Sequence, residues 1–193
     1  MIDSPYLWCD RTAGKYCVLD GLHGVPDSHE IQFGISRATG FPHDAHYCMD
    51  PEFKKQVALS DNLWGPGGDR VISAKLKDFL AARNPIDVEF LPVSIINHKG
   101  KVASADYSIL HPLRIVDCID QKNSAFKWNA IKPDLIGSCS KLVLNLAAIP
   151  ENLLFWRPRH LEHDVFVQRN LADEIVAAGF TGVRFKEVPD YGG

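Results

Sequence analysis

The sequence predicts an α+β fold: a mixed β-sheet with two helix–strand units, residues 71–93 and 166–188, packed on one core. Three observations predict it. Val71–Arg83 and Val165–Ala178 both repeat apolar residues at helical spacing. Each is followed by a strand run, Val88–Ile96 and Gly182–Val188, the second with clean alternation. The two units also align without gaps at an offset of 95 residues, with Leu76/Leu171, Asp78/Asp173, Ala82/Ala177, Val88/Val183, Phe90/Phe185 and Val93/Val188 identical. Duplication and convergent patterning both account for this echo. In either case, two helix–strand units on one mixed sheet is the economical solution for burying their apolar faces.

The elements follow in order. Residues 1–60 are rich in turn formers, with short strands predicted at Lys15–Leu19 and Glu30–Ile35. A short helix is predicted over Pro51–Ala58, with Asp50 as N-cap and Pro51 at the first helical position. The run Gly65-Pro-Gly-Gly68 is a turn. Ser73 is a good cap for the helix that follows, and Asn84-Pro85 ends it. Pro92 lacks an amide hydrogen, so its place in the next strand suits an edge or a bulge. Further strands are predicted at Asp106–Ile109, Leu113–Ile119, Lys141–Leu146 and Leu153–Trp156, and Gly179 closes the second helix. The 193 residues read as a single domain, with a turn-rich acidic portion over 1–60 and a core over 61–193.

Composition narrows the function. Hydrophobic residues make up 46% and charged residues 23%, which excludes a disordered chain. The net charge of −3 argues against a basic nucleic-acid binder. No stretch is apolar enough for a transmembrane helix. Met1–Asp10 has neither a basic nor an apolar signal region, so a cytoplasmic location is expected. Five cysteines without CxxC spacing suit free thiols in a reducing compartment. Residues 1–60 hold eight acids against five bases, while residues 61–193 balance. An acidic face can steer a basic partner. The same excess also suits an ordinary solvated surface.

Candidate chemistry is sparse. His43 and His46, with Asp50 and Cys48 nearby, offer metal-ligand types, but no second ligand pair has a recognisable spacing. Asp117 and Asp120 could form a carboxylate pair or hold magnesium; Asp120 also suits the start of a turn. His160 and His163 do not form HExxH, and the flanking Arg157 and Arg159 would oppose a cation. The Gly65–Arg70 run lacks the Gly-Lys-Ser/Thr ending of a phosphate loop. No GxSxG elbow is present. A metal-dependent hydrolase using these groups and a small-molecule-binding module remain as alternative readings. No catalytic residue, cofactor or resident metal is expected.

The order of segments carries a resemblance. It runs through Leu59-Ser-Asp-Asn-Leu-Trp64, Val71–Leu80, Val88-Glu-Phe-Leu-Pro-Val93, Asn97 and Gly100, then Tyr107–Leu113, Val116–Asp120 and Ser124-Ala-Phe126. It ends in Leu142-Val-Leu144, Ile149-Pro150, Leu154-Phe155, Val165-Phe-Val167 and Gly179–Phe185. With weaker extensions at Gly34, Gly40-Phe-Pro42 and Met49-Asp50, this resembles the bacterial immunity proteins found beside polymorphic toxins. Two features depart from that pattern: Gln168 stands where a serine cap is usual, and Lys127–Ser140 lies outside the matched segments. The resemblance implies a non-enzymatic inhibitor. Its partner would be a cognate toxin effector, often delivered by a contact-dependent machine such as type VI secretion. A cytoplasmic inhibitor suits a cytoplasm-acting toxin such as a nuclease. Asp27, Glu30, Asp44 and Asp50 are then the expected toxin-binding residues, mimicking phosphate. Edge strands permit a homodimer without demanding one.

Overall fold

The computed structural model describes residues 3–9 and 15–192. It is built from two mixed sheets with two α-helices between them. The strands are β1 (Tyr6–Trp8), β2 (Leu19–His23), β3 (His46–Met49), β4 (Asn62–Gly65), β5 (Asp69–Ser73), β6 (Val88–Ile96), β7 (Val102–Pro112), β8 (Ile115–Val116), β9 (Ala125–Trp128), β10 (Ile136–Lys141), β11 (Phe155–Pro158), β12 (Phe166–Val167) and β13 (Phe185–Glu187). The helices are α1 (Ala74–Ala81) and α2 (Arg169–Ala177). The larger sheet has the order β2-β3-β6-β7-β5-β4, and the smaller β13-β1-β12-β11-β8. Strands β9 and β10 form a separate hairpin.

Alternation assigns each face. In the larger sheet Leu63, Val71, Ile109 and Leu91 lie side by side across four strands, all within one buried cluster. Ile72 and Leu110, one residue along, point the other way into the central core. The smaller sheet alternates too: Trp8, Phe155 and Val167 face the central core, while Leu7, Phe166 and Trp156 form a row on the outer face. Leu76 and Leu80 of α1 join Leu171 and Ile175 of α2 in the central core. Each such buried side chain contributes roughly 1.5–3 kcal/mol.

The two units share a topology. Strands β5 and β6 both run antiparallel to β7, so they are parallel with β7 between them. Strands β12 and β13 both run antiparallel to β1 and bracket it in the same way. Each unit is thus strand, helix and strand, with a foreign strand in the gap.

The structure corrects several expected elements. Glu30–Ile35 is not a strand; Ser28–Phe33 is a 3-10 turn, bounded by left-handed Asp27 (φ 49) and Gly34 (φ 67). The alternation of Ile31, Phe33 and Ile35 imitated a strand, but only Ile31 is buried. The helix expected over Pro51–Ala58 is one 3-10 turn, Pro51–Phe53, with Asp50 capping it as expected. The first residues of both helical runs are instead strands, β5 and β12, because Ile72 and Val167 satisfy the helical period and a buried strand equally. Ser73 then caps α1, and Gly179 (φ 73) closes α2. Gln168 caps without a side-chain bond; its amide donates to the Glu151 carbonyl instead. Lys141–Leu146 is not a strand of its own, since β10 ends at Lys141 and Leu144 makes a single bridge with Ile119. Pro92 lies in an interior strand, but β3 pairs β6 only from Ser94 onward, so Pro92 has no partner on that side.

Two buried arginines tie the sheets together. Arg70 donates to the carbonyls of Gly68, His163 and Trp8, with Trp64 against its guanidinium. Arg157 donates to those of Pro112, Gln32, Glu162 and Ile31. Neither forms a direct carboxylate pair among the described residues. Burial pushes the Arg157 pKa down to about 9, helped by the nearby Arg70 charge, and the Arg70 pKa to about 10. Tyr47 donates to Asp69 at 2.6 Å and Tyr191 to Asp164 at 2.6 Å, and both carboxylates favour the arginine charges.

Two predictions follow from this core. Arg157→Met removes the guanidinium from four carbonyls, of which Ile31 keeps only the Gly34 amide at 3.5 Å, and should lower the unfolding free energy by roughly 3 kcal/mol, read from urea midpoints; an unshifted midpoint refutes the tie. His111 is fully buried, donates to the Ile35 carbonyl at 2.8 Å, and is held by burial down to a pKa of about 4. The unfolded imidazole titrates near its ordinary value of about 6.5. Between those values the unfolded chain binds the extra proton, so stability falls as pH drops from about 7 toward 4, by about 3 kcal/mol in all. His111→Gln should flatten that part of the stability–pH curve.

Candidate interaction surface

The four carboxylates expected at the site do not form one cluster. Asp27 is exposed at the start of the 3-10 turn. Asp44 is exposed beside Gly24, where β2 and β3 meet at the His23–His46 pair. Neither carboxylate has a hydrogen bond or ion pair among the described residues. Glu30 is engaged by the Arg37 guanidinium, which also donates to the Pro26 carbonyl at 2.6 Å. Asp50 accepts the Glu52 amide at 2.8 Å as a cap. It lies at the far end of the β2–β3 ladder, where its own amide bonds to Val18. Five residues, the four of β3 among them, separate it from Asp44, a span of about 20 Å.

The groups proposed for metal chemistry also diverge. His46 bonds the Asp44 carbonyl through Nδ1 at 2.7 Å and stacks on His23 with centroids 5.3 Å apart. His43 points to solvent. Asp120 accepts the amides of Lys122 and Asn123 and the Asn123 side chain, which lowers its pKa, and Asp117 is exposed. Among the described residues no three His, Cys, Asp or Glu side chains converge as metal ligands. Gly65–Asp69 is a turn between β4 and β5, so a strand separates it from α1 and no helix N-terminus faces it. An open cleft of about 740 Å³ beside β13 carries Arg184, Lys186, Glu187 and Asp190, a mixed set of charges.

The most prominent feature is the β9–β10 hairpin. Its inner side is anchored: Ile136 is buried in the outer core, and Phe126 and Cys139 pack against it. Gly137 permits the close crossing, since a Cβ there would lie 2.9 Å from the Asn129 Cα. The tip is held by Asn129, whose side-chain oxygen accepts the amides of Ile131 and Lys132. Trp128 stands edge-on to Phe126 at 4.9 Å and to His160 at 5.1 Å. His160 has φ 73, an uncommon conformation for a residue with a side chain, and its Nδ1 donates to the Asp134 carbonyl at 2.7 Å. Beyond these supports, Trp128 remains 44% exposed and Ile131 90% exposed.

A family model described as Immunity protein family (Imm11) matches residues 16–190. The chain belongs to the Imm11 immunity protein family. Membership indicates an immunity function against a toxin, an inhibitor's role, and a toxin as partner. No curated protein matches the chain. Among the described residues no helix is long and apolar enough to cross a membrane. The Imm11 match begins well before residue 59 and runs through Lys127–Ser140, so it includes both the carboxylate-bearing turns and the hairpin.

Sequence reasoning missed the exposed hairpin. The available signal was Phe126-Lys-Trp-Asn-Ala-Ile131, alternating aromatics running into an apolar residue flanked by turn formers. The support from His160 is a tertiary contact and has no local signature. His160→Gly suits the left-handed backbone and removes only the ring. It should speed tryptic cleavage after Lys127, the cleavable lysine of the arm since Pro133 protects Lys132, while leaving the main thermal transition in place; unchanged cleavage means the strands alone hold the hairpin.

Proposed function

We propose that this Imm11 protein neutralises its toxin by binding it directly, that the toxin acts in the cytoplasm, and that it attacks nucleic acid. Family membership over residues 16–190 carries the reading of an inhibitor. The compartment is supported by Cys9, Cys17, Cys48, Cys118 and Cys139, all free thiols. A nuclease presents a basic active site, and the unpaired carboxylates of Asp27 and Asp44 offer it anionic groups in place of phosphates. Glu30 supports the turn that displays Asp27, through its Arg37 pair, whereas Asp50 is engaged as the cap of the separate Pro51–Phe53 turn. The acidic contribution is one of approach: exposed charges act over about 10 Å at 0.1 M salt and chiefly raise the association rate.

Co-expression tests this. The toxin encoded beside this chain should arrest growth alone, and this protein should restore growth and co-purify as a stable complex. Absence of rescue refutes the reading. Asp27→Lys with Asp44→Lys should slow association several-fold at low salt, with the difference closing at high salt. Equal association rates at low salt refute the steering role while leaving inhibition intact.

A further inference from the structure

We infer that the β9–β10 hairpin is the anchor of the complex: Ile131 and Trp128 seat in an apolar pocket of the toxin whose rim is acidic. The inference rests on the inhibitor reading above and names where the bound state is held.

Three observations support it. Ile131 is the most exposed large apolar side chain among the described residues, and Trp128, on the same hairpin, is the most exposed tryptophan. Isolated apolar residues on a surface are ordinary. Here two of them project from one arm that is rigidly supported from beneath. The Asn129 side chain fixes the tip backbone, and His160 adopts a left-handed backbone while bracing both Trp128 and the Asp134 carbonyl. Such strain is characteristic of segments with a role beyond packing. A tip already fixed in its binding shape loses little freedom on association.

The second observation is charge. The chain as a whole is at −3, yet residues 121–141 carry Lys122, Lys127, Lys132 and Lys141 against Asp134 alone. All four lysines are exposed. Lys127 and Lys132 therefore flank the apolar tip, with Lys141 at the base of the arm and Lys122 before it beside Asp120, and the complement of the tip is an apolar pocket with carboxylates at the rim. This sets the hairpin apart from the acidic turns, which fit a basic surface.

The third is continuity. Lys132 lies 5.4 Å from the centre of the Phe33 ring, in the same 3-10 turn that begins after Asp27. The acidic turn and the basic hairpin therefore adjoin on one face. A partner meeting both signs is oriented before it docks, the acidic end governing approach and the apolar tip governing escape.

The test is binding kinetics against an inactivated catalytic domain of the toxin encoded beside this chain. Ile131→Asp and Ile131→Ser should weaken affinity by about 30-fold or more, the size of an interface hot spot, almost wholly through faster dissociation. Trp128→Ala should act in the same direction. Folding is monitored by thermal melting, which the Ile131 variants should leave unchanged. Lys127→Glu with Lys132→Glu should weaken binding most at low salt; an unchanged affinity overturns the acidic rim. Wild-type binding with Ile131 variants of equal affinity overturns the anchor and leaves the inhibitor intact. No binding by the wild type overturns both. A wild-type dimer that Ile131→Asp dissociates, with toxin affinity unchanged, assigns the tip to a second copy of this chain and overturns the inference.

Discussion

The fold depends on two positive charges buried where its layers meet. Arg70 and Arg157 have no direct carboxylate partner among the described residues; they donate to seven carbonyl oxygens instead, Arg70 through its two terminal nitrogens while its Nε makes no bond. A buried cation is tolerable only when it is fully hydrogen-bonded or offset by opposite charge. Here the acceptors come from β1, the β4–β5 turn, the end of β7, the 3-10 turn after Asp27 and the loop after β11. The planar guanidinium, with five fixed donors, suits such a radial set of acceptors. Lysine, with three donors on one nitrogen, could not hold four separated carbonyls. The depressed pKa values of both arginines show that desolvation outweighs the help from Asp69 and Asp164.

Much of this frame was legible in the sequence because periodicity reports burial. The echo between residues 71–93 and 166–188 reappears as two split strand–helix–strand units whose helices meet in one core. It also extends further than the identities first suggested. Asp69 and Asp164 stand 95 residues apart, just before the aligned stretch, and each accepts a tyrosine hydroxyl at 2.6 Å. Burial raises the Asp69 pKa, and the tyrosine bond partly restrains it. What periodicity could not show was the boundary between β5 and α1, or between β12 and α2, since one buried residue serves either state. Nor could it reveal that the split units borrow β7 and β1, which lie outside them in sequence.

The candidate surface was less legible, for a different reason. Counting carboxylates in residues 1–60 found an acidic region but could not distinguish free charges from engaged ones. Arg37 neutralises Glu30 from seven residues away, and Asp50 is engaged by the Glu52 amide as a cap. Of the four expected carboxylates, Asp27 and Asp44 remain exposed and unengaged among the described residues. Histidines suffered the same ambiguity: His46 is a stacked strand residue, and His160 is a brace. A tryptophan in sequence carries no mark of exposure: Trp8 and Trp156 are fully buried here, and Trp128 is not. Trp128 shares the hairpin's inner face with Phe126 and its cross-strand partner Ile136, but lies at the end toward the tip, beyond the core those two pack into.

The buried arginines and the outer face belong to one argument. Arg157 holds the carbonyls of Ile31 and Gln32, just before Phe33, against which Lys132 rests. Through the same guanidinium it holds the Glu162 carbonyl, two residues beyond His160, against which Trp128 rests. One buried group therefore fixes the acidic turn and the seat of the hairpin relative to each other. A surface built from loops would ordinarily lose affinity to the ordering of those loops on binding. Here the loops are ordered by a charge that cannot be left unsatisfied, so the ordering is completed during folding. The carbonyl-bound arginine is an expensive device for stability alone, because apolar packing would serve as well. It is better matched to a protein that must present a fixed face to a single partner.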